Sequence, residues 1–237
     1  MNCQGLPSHA ELKAALAAAV GTPPSGNGGF NLHMWATIVD RDGIVCSVAF
    51  SGNERGDQWP GSRVISAQKA NTANAFSLPG LSLSTANLWA AVQPGGSLFG
   101  LQHSNPVDTQ VAYGGNSEHY GQDNDGMSGK KIGGVNVFGG GLALYNSDGK
   151  LVGAVGVSGD SSCADHNIAW RTRNNLGRDH VPGGISGDAA RPDNIVFDIA
   201  DDAGGNPESA GGFGHPHSIG GNEANESAIA AALPAIP

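Results

Sequence analysis

Two stretches of this chain each place an Asp-Gly pair between apolar runs: "LHMWATIVDRDGIVCSVAF", residues 32–50, and "GLALYNSDGKLVGAVGVSG", residues 141–159. An Asp-Gly pair readily takes up the positive φ values that a tight turn between antiparallel strands requires. Each stretch therefore predicts a β-hairpin, one turning at Asp42-Gly43 and the other at Asp148-Gly149. Two hairpins in one chain ask for a sheet, and the sheet needs helices to cover it.

The clearest helix is "SHAELKAALAAAVG". Ser8 caps it, Glu11 completes a capping box, and Leu12, Ala15, Leu16, Ala19 and Val20 form one apolar face. Gly21 and then Pro23 and Pro24 end it, and a flexible "SGNGG" follows. "SRVISAQKANTANAF" predicts a second helix over about 63–76, with Ser62 as its cap, and "STANLWAAVQ" a third between Ser84 and Pro94. Residues 94–131, dense in Gly, Asn, Asp and Ser, read as a long irregular loop. A last helix runs from about Cys163 to Leu176 and stops at Gly177. The order helix, hairpin, two helices, hairpin, helix gives an α+β layered domain over residues 1–177: a central antiparallel β-sheet with helices packed on it. Residues 178–237 form an irregular Gly/Pro-rich extension wrapping its own domain or a neighbour, in which "NIVFDI" adds a short edge strand.

Composition narrows the function classes. With a net charge of −9 and no run of Lys or Arg, the chain would repel a phosphate backbone, so nucleic acid is not its partner. No apolar run reaches the roughly 18–20 residues that span a bilayer. Cys3, Cys46 and Cys163 lack the paired spacing of a zinc site; they allow one disulfide with one free thiol, or none. Met1 directly precedes a polar segment, as it would after removal of a leader, so a periplasmic or secreted location is the expectation, with a cytoplasmic one left open.

The candidate chemistry gathers at "GVSGDSSCADH". A strand exit followed by a helix start offers free backbone N–H groups, a cradle for a carboxylate or phosphate, so Ser158 and Gly159 are candidate cofactor contacts. Ser162 with Asp165 reads as a capping box, which gives Asp165 a structural job. Cys163 and His166 share a helix face as a conceivable nucleophile and base, against the plainer reading of a buried cysteine or one bonded to Cys46. The glycines at 153, 156 and 159 do not make a dinucleotide fingerprint. Lys69 reads as a solvated lysine by default, or as one facing a carboxylate. His33 reads as a half-buried strand residue, and "GHPH" at 214–217 as a solvated tail.

Three blocks, "WATIVDRDGIVCSVAFSG", "SRVISAQKANTANAF" and "GGVNVFGGGLALYNSDGKLVGAVGVSGDSSCADHNIA", resemble in order and spacing the GlcG/HbpS family, also called the haem-degrading or DUF336 family. The shared pattern is a D-x-x-G hairpin, an S-x-x-K-A-x-T-A helix (Ser66, Lys69, Ala70, Thr72, Ala73) and a late G-x-V-G-V-S-G strand, over roughly residues 6–177. The resemblance implies a GlcG-like α+β domain, assembly as a homo-oligomer, haem as the suspected cofactor, and a non-enzymatic role in haem or iron handling or in oxidative-stress sensing. His166 and Lys69 are then the candidate haem contacts, with His103 or His119 of the long loop as second ligands. The rival is an enzyme or accessory protein for a small organic acid, with Lys69 on the carboxylate and a loop histidine as acid or base. A third reading is a structural partner whose tail docks on another subunit.

Overall fold

A computed structural model describes residues 3–22, 26–220 and 222–237, so the helix stop assigned to Pro23 and Pro24 and the first residue of "SGNGG" lie outside the described residues. Both hairpins form. Strands β1 (Trp35–Asp40) and β2 (Val45–Phe50) turn at Asp42-Gly43, and β3 (Gly141–Tyr145) and β4 (Leu151–Ser158) at Asp148-Gly149. They join in one four-stranded antiparallel sheet of order β2-β1-β4-β3, in which Trp35 pairs with both Phe50 and Ser158. Gly43 and Gly149, at φ 76° and 69°, hold the left-handed conformation that both turns require.

The sheet is covered on both faces, which is why its strands are buried almost throughout. Side chains alternate along each strand. Ala36, Ile38, Leu142, Leu144, Val155 and Val157 face one core with α1 (His9–Val20) and α5 (Ser162–Asn175). Trp35, Val39, Val48 and Ala154 face the other with α2 (Ser62–Phe76). α2 meets the sheet through small residues, Ser66, Ala67, Ala70 and Ala73, all fully buried. At Gly156 the helix backbone comes so close that any side chain would collide with the carbonyl of Ser66. That close approach carries Lys69 down onto the end of β4.

The capping box of α1 is present as expected, with Ser8 and Glu11 satisfying each other's backbone N–H groups. Other local expectations need correction. The third helix is two short 3₁₀ turns, Thr85–Leu88 and Ala90–Val92, because Ser84 and Asn87 bond to each other's backbone and fix a tight turn at the start. α2 begins at Ser62 itself, without a side-chain cap. Within 94–131 the chain forms only single helical turns, α3 (Leu101–Ser104), α4 (Thr109–Ala112) and a 3₁₀ turn at Ser117–His119. "NIVFDI" does not extend the main sheet: β5 (Ile199–Asp201) pairs with β6 (Pro207–Ser209) in a separate small hairpin.

The C-terminal segment is threaded into the same core. Arg173 of α5, fully buried, donates to both carboxylate oxygens of Asp193 at 2.6 and 2.8 Å, and Ser82 Oγ donates to the same carboxylate at 2.6 Å. Trp170 Nε1 donates to the carbonyl of Pro234, and after α6 (Glu223–Ala231) Leu233 enters the α1/α5 core. Cys3 and Cys46 form a disulfide that pins the chain start to β2, while Cys163 is a buried free thiol. Closing a loop of this length contributes typically about 2–4 kcal/mol. Among the described residues no helix is long and apolar enough to cross a membrane.

Removing one partner of a buried ion pair strands the other's charge, whereas an exposed pair is worth little. Asp193→Ala is therefore expected to cost about 3–5 kcal/mol. Asp188→Ala, at the partly exposed pair with Arg191, is expected to lower stability far less. Urea unfolding of the two variants checks the contrast.

Candidate functional site

The end of β4 and the start of α5 meet at residues 158–165, where the sequence places its backbone cradle. The cradle exists and is filled by the chain itself. Asp165 Oδ1 accepts from the backbone N–H of Gly159 at 3.1 Å and of Asp160 at 2.8 Å, and Oδ2 accepts from Lys69 Nζ at 2.6 Å. Lys69 also donates to the carbonyl of Val157 at 3.2 Å. Asp165 is thus no capping residue: Ser161 is the N-cap of α5, accepting from Ala164 N–H, and the hydroxyl of Ser218 takes the N–H of Cys163. Lys69 is not solvated but fully buried, facing a carboxylate of its own chain.

Burial opposes both charges of this pair. It pulls Lys69 below the ordinary lysine range against the attraction of Asp165, and pushes Asp165 up to about 6 against the attraction of Lys69. With three donors on its two oxygens, Asp165 is ionised at neutral pH.

Over this pair opens a cleft of about 390 Å³, lined by Trp59, Ser62 and Ile65 at the start of α2, by Trp89 and Phe138, by Ser158, Asp160, Ser162 and Asp165, and by His215 and Pro216 of the C-terminal segment. The volume is that of a small-molecule site. Trp59 is 53% exposed and Phe138 39%, so they stand at the mouth, whereas His215 is 1% exposed and forms part of the wall. The His215 Nδ1 sits 2.6 Å from the carbonyl of Pro216 and so carries the proton, and Nε2 accepts a long bond of 3.3 Å from Gly139 N–H. Burial drives its pKa down to about 3, so the imidazole is neutral. The Asp160 carboxylate is turned to backbone, accepting from the N–H groups of Phe30, Leu32 and Ser161.

Of the residues singled out in the sequence, Lys69, Ser158 and Gly159 come together here, with Ser158 on the cleft wall and the Gly159 N–H spent on Asp165. His166 does not join them. It is fully buried behind Gly139, where Nε2 meets Asn194 Oδ1 at 3.1 Å and the N–H of Ile195 at 3.2 Å, and burial lowers its pKa to about 4. His103 and His119 are exposed on α3 and the 117–119 turn, and neither lines the cleft. His33 is exposed just before β1. Cys163 is not paired with His166 for nucleophilic work: burial pushes its thiol up to about 12. The residues missed are His215, Trp59, Trp89 and Phe138. "GHPH" is no solvated tail, because the apolar Ile195 and Phe197 ahead of it bring the segment back against Ala86 and Cys163.

Residues 9–173 match the family of HbpS-like haem degrading proteins. The chain belongs to that family. Solved structures similar to it include a PduOC:heme complex (24% identity, 70% of this chain and 89% of the other, TM-score 0.47). Klebsiella pneumoniae ORFY, of family DUF336, is similar at 24% identity, over 74% and 96% of the two chains, with a TM-score of 0.46. HbpS itself is similar at 17% identity, over 71% and 86%, with a TM-score of 0.43. No curated protein matches the chain. The match ends at residue 173, so the histidine in the cleft wall comes from beyond the family's shared span.

The buried histidines set a pH dependence. Unfolding exposes His166 and His215, which then protonate near their ordinary value of about 6.5. Their folded pKa values of about 4 and about 3 are depressed, so the stability they confer is present above about 6.5 and is lost as pH falls. Asp165, raised to about 6, acts in the opposite sense over the same window, with one proton against their two. The unfolded chain therefore binds more protons than the folded one between about pH 6 and 4, and stability falls as pH falls through that window. Urea midpoints should fall accordingly across that window, and His166→Gln should flatten the slope.

Proposed function

We propose that this chain is a haem-binding, non-enzymatic member of its family and that the cleft over Lys69 and Asp165 is where haem binds. The observation that carries the reading is His215: a neutral imidazole with Nδ1–H fixed on a backbone carbonyl and Nε2 engaged only by a long bond, set among Trp59, Trp89 and Phe138. A histidine presents a ring nitrogen to a metal in this way, oriented through its other nitrogen. The aromatic side chains suit a flat apolar macrocycle.

The residues therefore fit haem, with His215 as the iron donor and the three aromatic rings as the walls. Bound there, haem would supply a redox-active iron. The chain's own part is to hold the ring, to keep His215 in one tautomer, and to withhold competing charge, since Lys69 and Asp165 neutralise each other. The organic-acid reading loses its cation for the same reason: Lys69 already holds a carboxylate, that of Asp165.

Haemin titration followed at the Soret band tests the proposal. A saturable, one-to-one shift is expected, weakened at least about tenfold in His215→Ala and unchanged in His166→Ala. A shift indifferent to His215→Ala and to Trp89→Ala overturns it. Export to an oxidising compartment is part of the same proposal, supported by the Cys3–Cys46 disulfide, and thiol labelling of these cysteines in cell fractions checks it. So is assembly as a homo-oligomer, supported by the exposed Trp59, Phe99 and Leu78 and checked by mass in solution.

A further inference from the structure

A second cluster of donor atoms lies at the far end of β1. Trp35 starts that strand opposite Ser158 of the cleft, and Asp40 ends it opposite Gly153. Cys3 Sγ, Cys46 Sγ and an oxygen of the Asp40 carboxylate all lie within 4.8 Å of one another. The two sulfurs are bonded to each other, so in the oxidised chain neither is free to bind a metal. Both cysteines are half-buried, and a small reductant reaches them from solvent.

Asp40 supplies the second observation. It is 4% exposed, and among the described residues no ion pair includes it. Its Oδ1 accepts from the N–H groups of Asp42 and Ile44 at 2.9 and 3.0 Å, which fixes the carboxylate on the hairpin turn. Oδ2 faces Cys3 and holds only a long bond of 3.4 Å from its N–H. A buried carboxylate without a counter-charge is costly, and this one turns its less engaged oxygen to the cystine.

The chain start does not depend on the bridge alone. Ser47 Oγ donates to the carbonyl of Pro7 at 3.2 Å, Arg178 donates to that of Gly5 at 3.3 Å, and Leu6 packs on the α1/α5 core. Cys3 therefore stays beside Asp40 when the bridge opens. With Cα atoms 5.4 Å apart, the sulfurs need only part to about 3.8 Å, the edge of a tetrahedron built on zinc–sulfur bonds of about 2.3 Å.

We propose that Cys3, Asp40 and Cys46 form a redox-gated site for a thiophilic divalent cation such as zinc. A dithiol opens it: the Cys3–Cys46 bond breaks and takes up two electrons and two protons, giving two thiols, while the dithiol closes to its own disulfide. Binding of the cation releases both thiol protons to solvent. Two thiolates and the Asp40 carboxylate then hold the metal, and a water completes the tetrahedron. The cation supplies the positive charge that the buried carboxylate lacks. Reoxidation by a disulfide reverses each step and ejects it, so oxidising surroundings keep the site shut. The proposal is independent of haem and of His215.

The test is titration of the full chain with Cd²⁺ and Zn²⁺ in a Cys163→Ala background, which leaves only the two sulfurs in question. After reduction with dithiothreitol and its removal without air, the chain should take up one Cd²⁺ saturably, show the ultraviolet absorbance of thiolate-to-cadmium charge transfer, and release two protons. The oxidised chain should take up none. Asp40→Asn, which keeps an oxygen acceptor for the turn, should weaken binding about tenfold or more, and Cys3→Ser should weaken it further. X-ray absorption of the zinc-loaded reduced chain should count two sulfur and two oxygen neighbours, and that count decides alone if Asp40→Asn does not fold. Near-ultraviolet circular dichroism checks the fold of each reduced chain. Loss of the fold on reduction, no saturable uptake by the reduced chain, equal uptake by the oxidised one, fewer than two sulfur neighbours, or an affinity indifferent to Asp40→Asn each overturn the proposal.

Discussion

The contact on which the site depends is the buried bond between Lys69 and Asp165. It ties the middle of α2 to the first turn of α5 across the end of β4, so three elements from distant parts of the chain are fixed at one point. Neither charge could stay there alone, since desolvating an unpaired ion costs several kcal/mol. The carboxylate needs the N–H groups of Gly159 and Asp160 as well, and these are free only because β4 ends and α5 has not yet begun. Strand exit, helix start and helix α2 are therefore mutually dependent. Gly156 is the geometric condition for all three, because any side chain there would lift α2 off the sheet.

The extension past the shared family span is coupled to this arrangement from the other side of α5. Asp193 neutralises Arg173, Asn194 meets His166, and Ser218 caps the N–H of Cys163, so the helix that carries Asp165 is held along its length by the C-terminal segment. The same segment delivers His215 and Pro216 to the cleft. A chain ending at residue 177 would lose one wall of the cleft and the counter-charge of a buried arginine.

Much of the fold was legible because its signals are local. Asp42-Gly43 and Asp148-Gly149 announce their turns, and Ser8 with Glu11 announces its cap. The Lys69 pattern within α2 is one of the three blocks that carry the family resemblance, and the family match agrees. What stayed hidden depends on contacts between distant residues. Asp165 reads as a cap from spacing alone; only the approach of α2, 96 residues earlier, turns it into a counter-ion. His166 reads as a candidate haem contact, and only the returning tail, through Asn194 and Ile195, engages its ring instead. His215 looks solvated, because nothing near it in the sequence shows that Gly139 and Trp89 will surround it.

These contacts also determine what the cleft can recognise. A buried lysine beside an open cleft would select anions, and a buried aspartate would select cations. Here each cancels the other, Asp160 is consumed by backbone N–H groups, and His215 is kept neutral by burial. Of the charges at the cleft, the Lys69–Asp165 pair is thereby cancelled and the Asp160 carboxylate is turned to backbone, beside aromatic surface and a neutral His215 whose Nε2 holds only a long bond from Gly139 N–H. Affinity in such a site grows with the flat apolar area a ligand can bury, and its specificity rests on whether that ligand also carries an atom able to accept an imidazole lone pair. On the proposed reading, a metal-bearing macrocycle would meet both conditions.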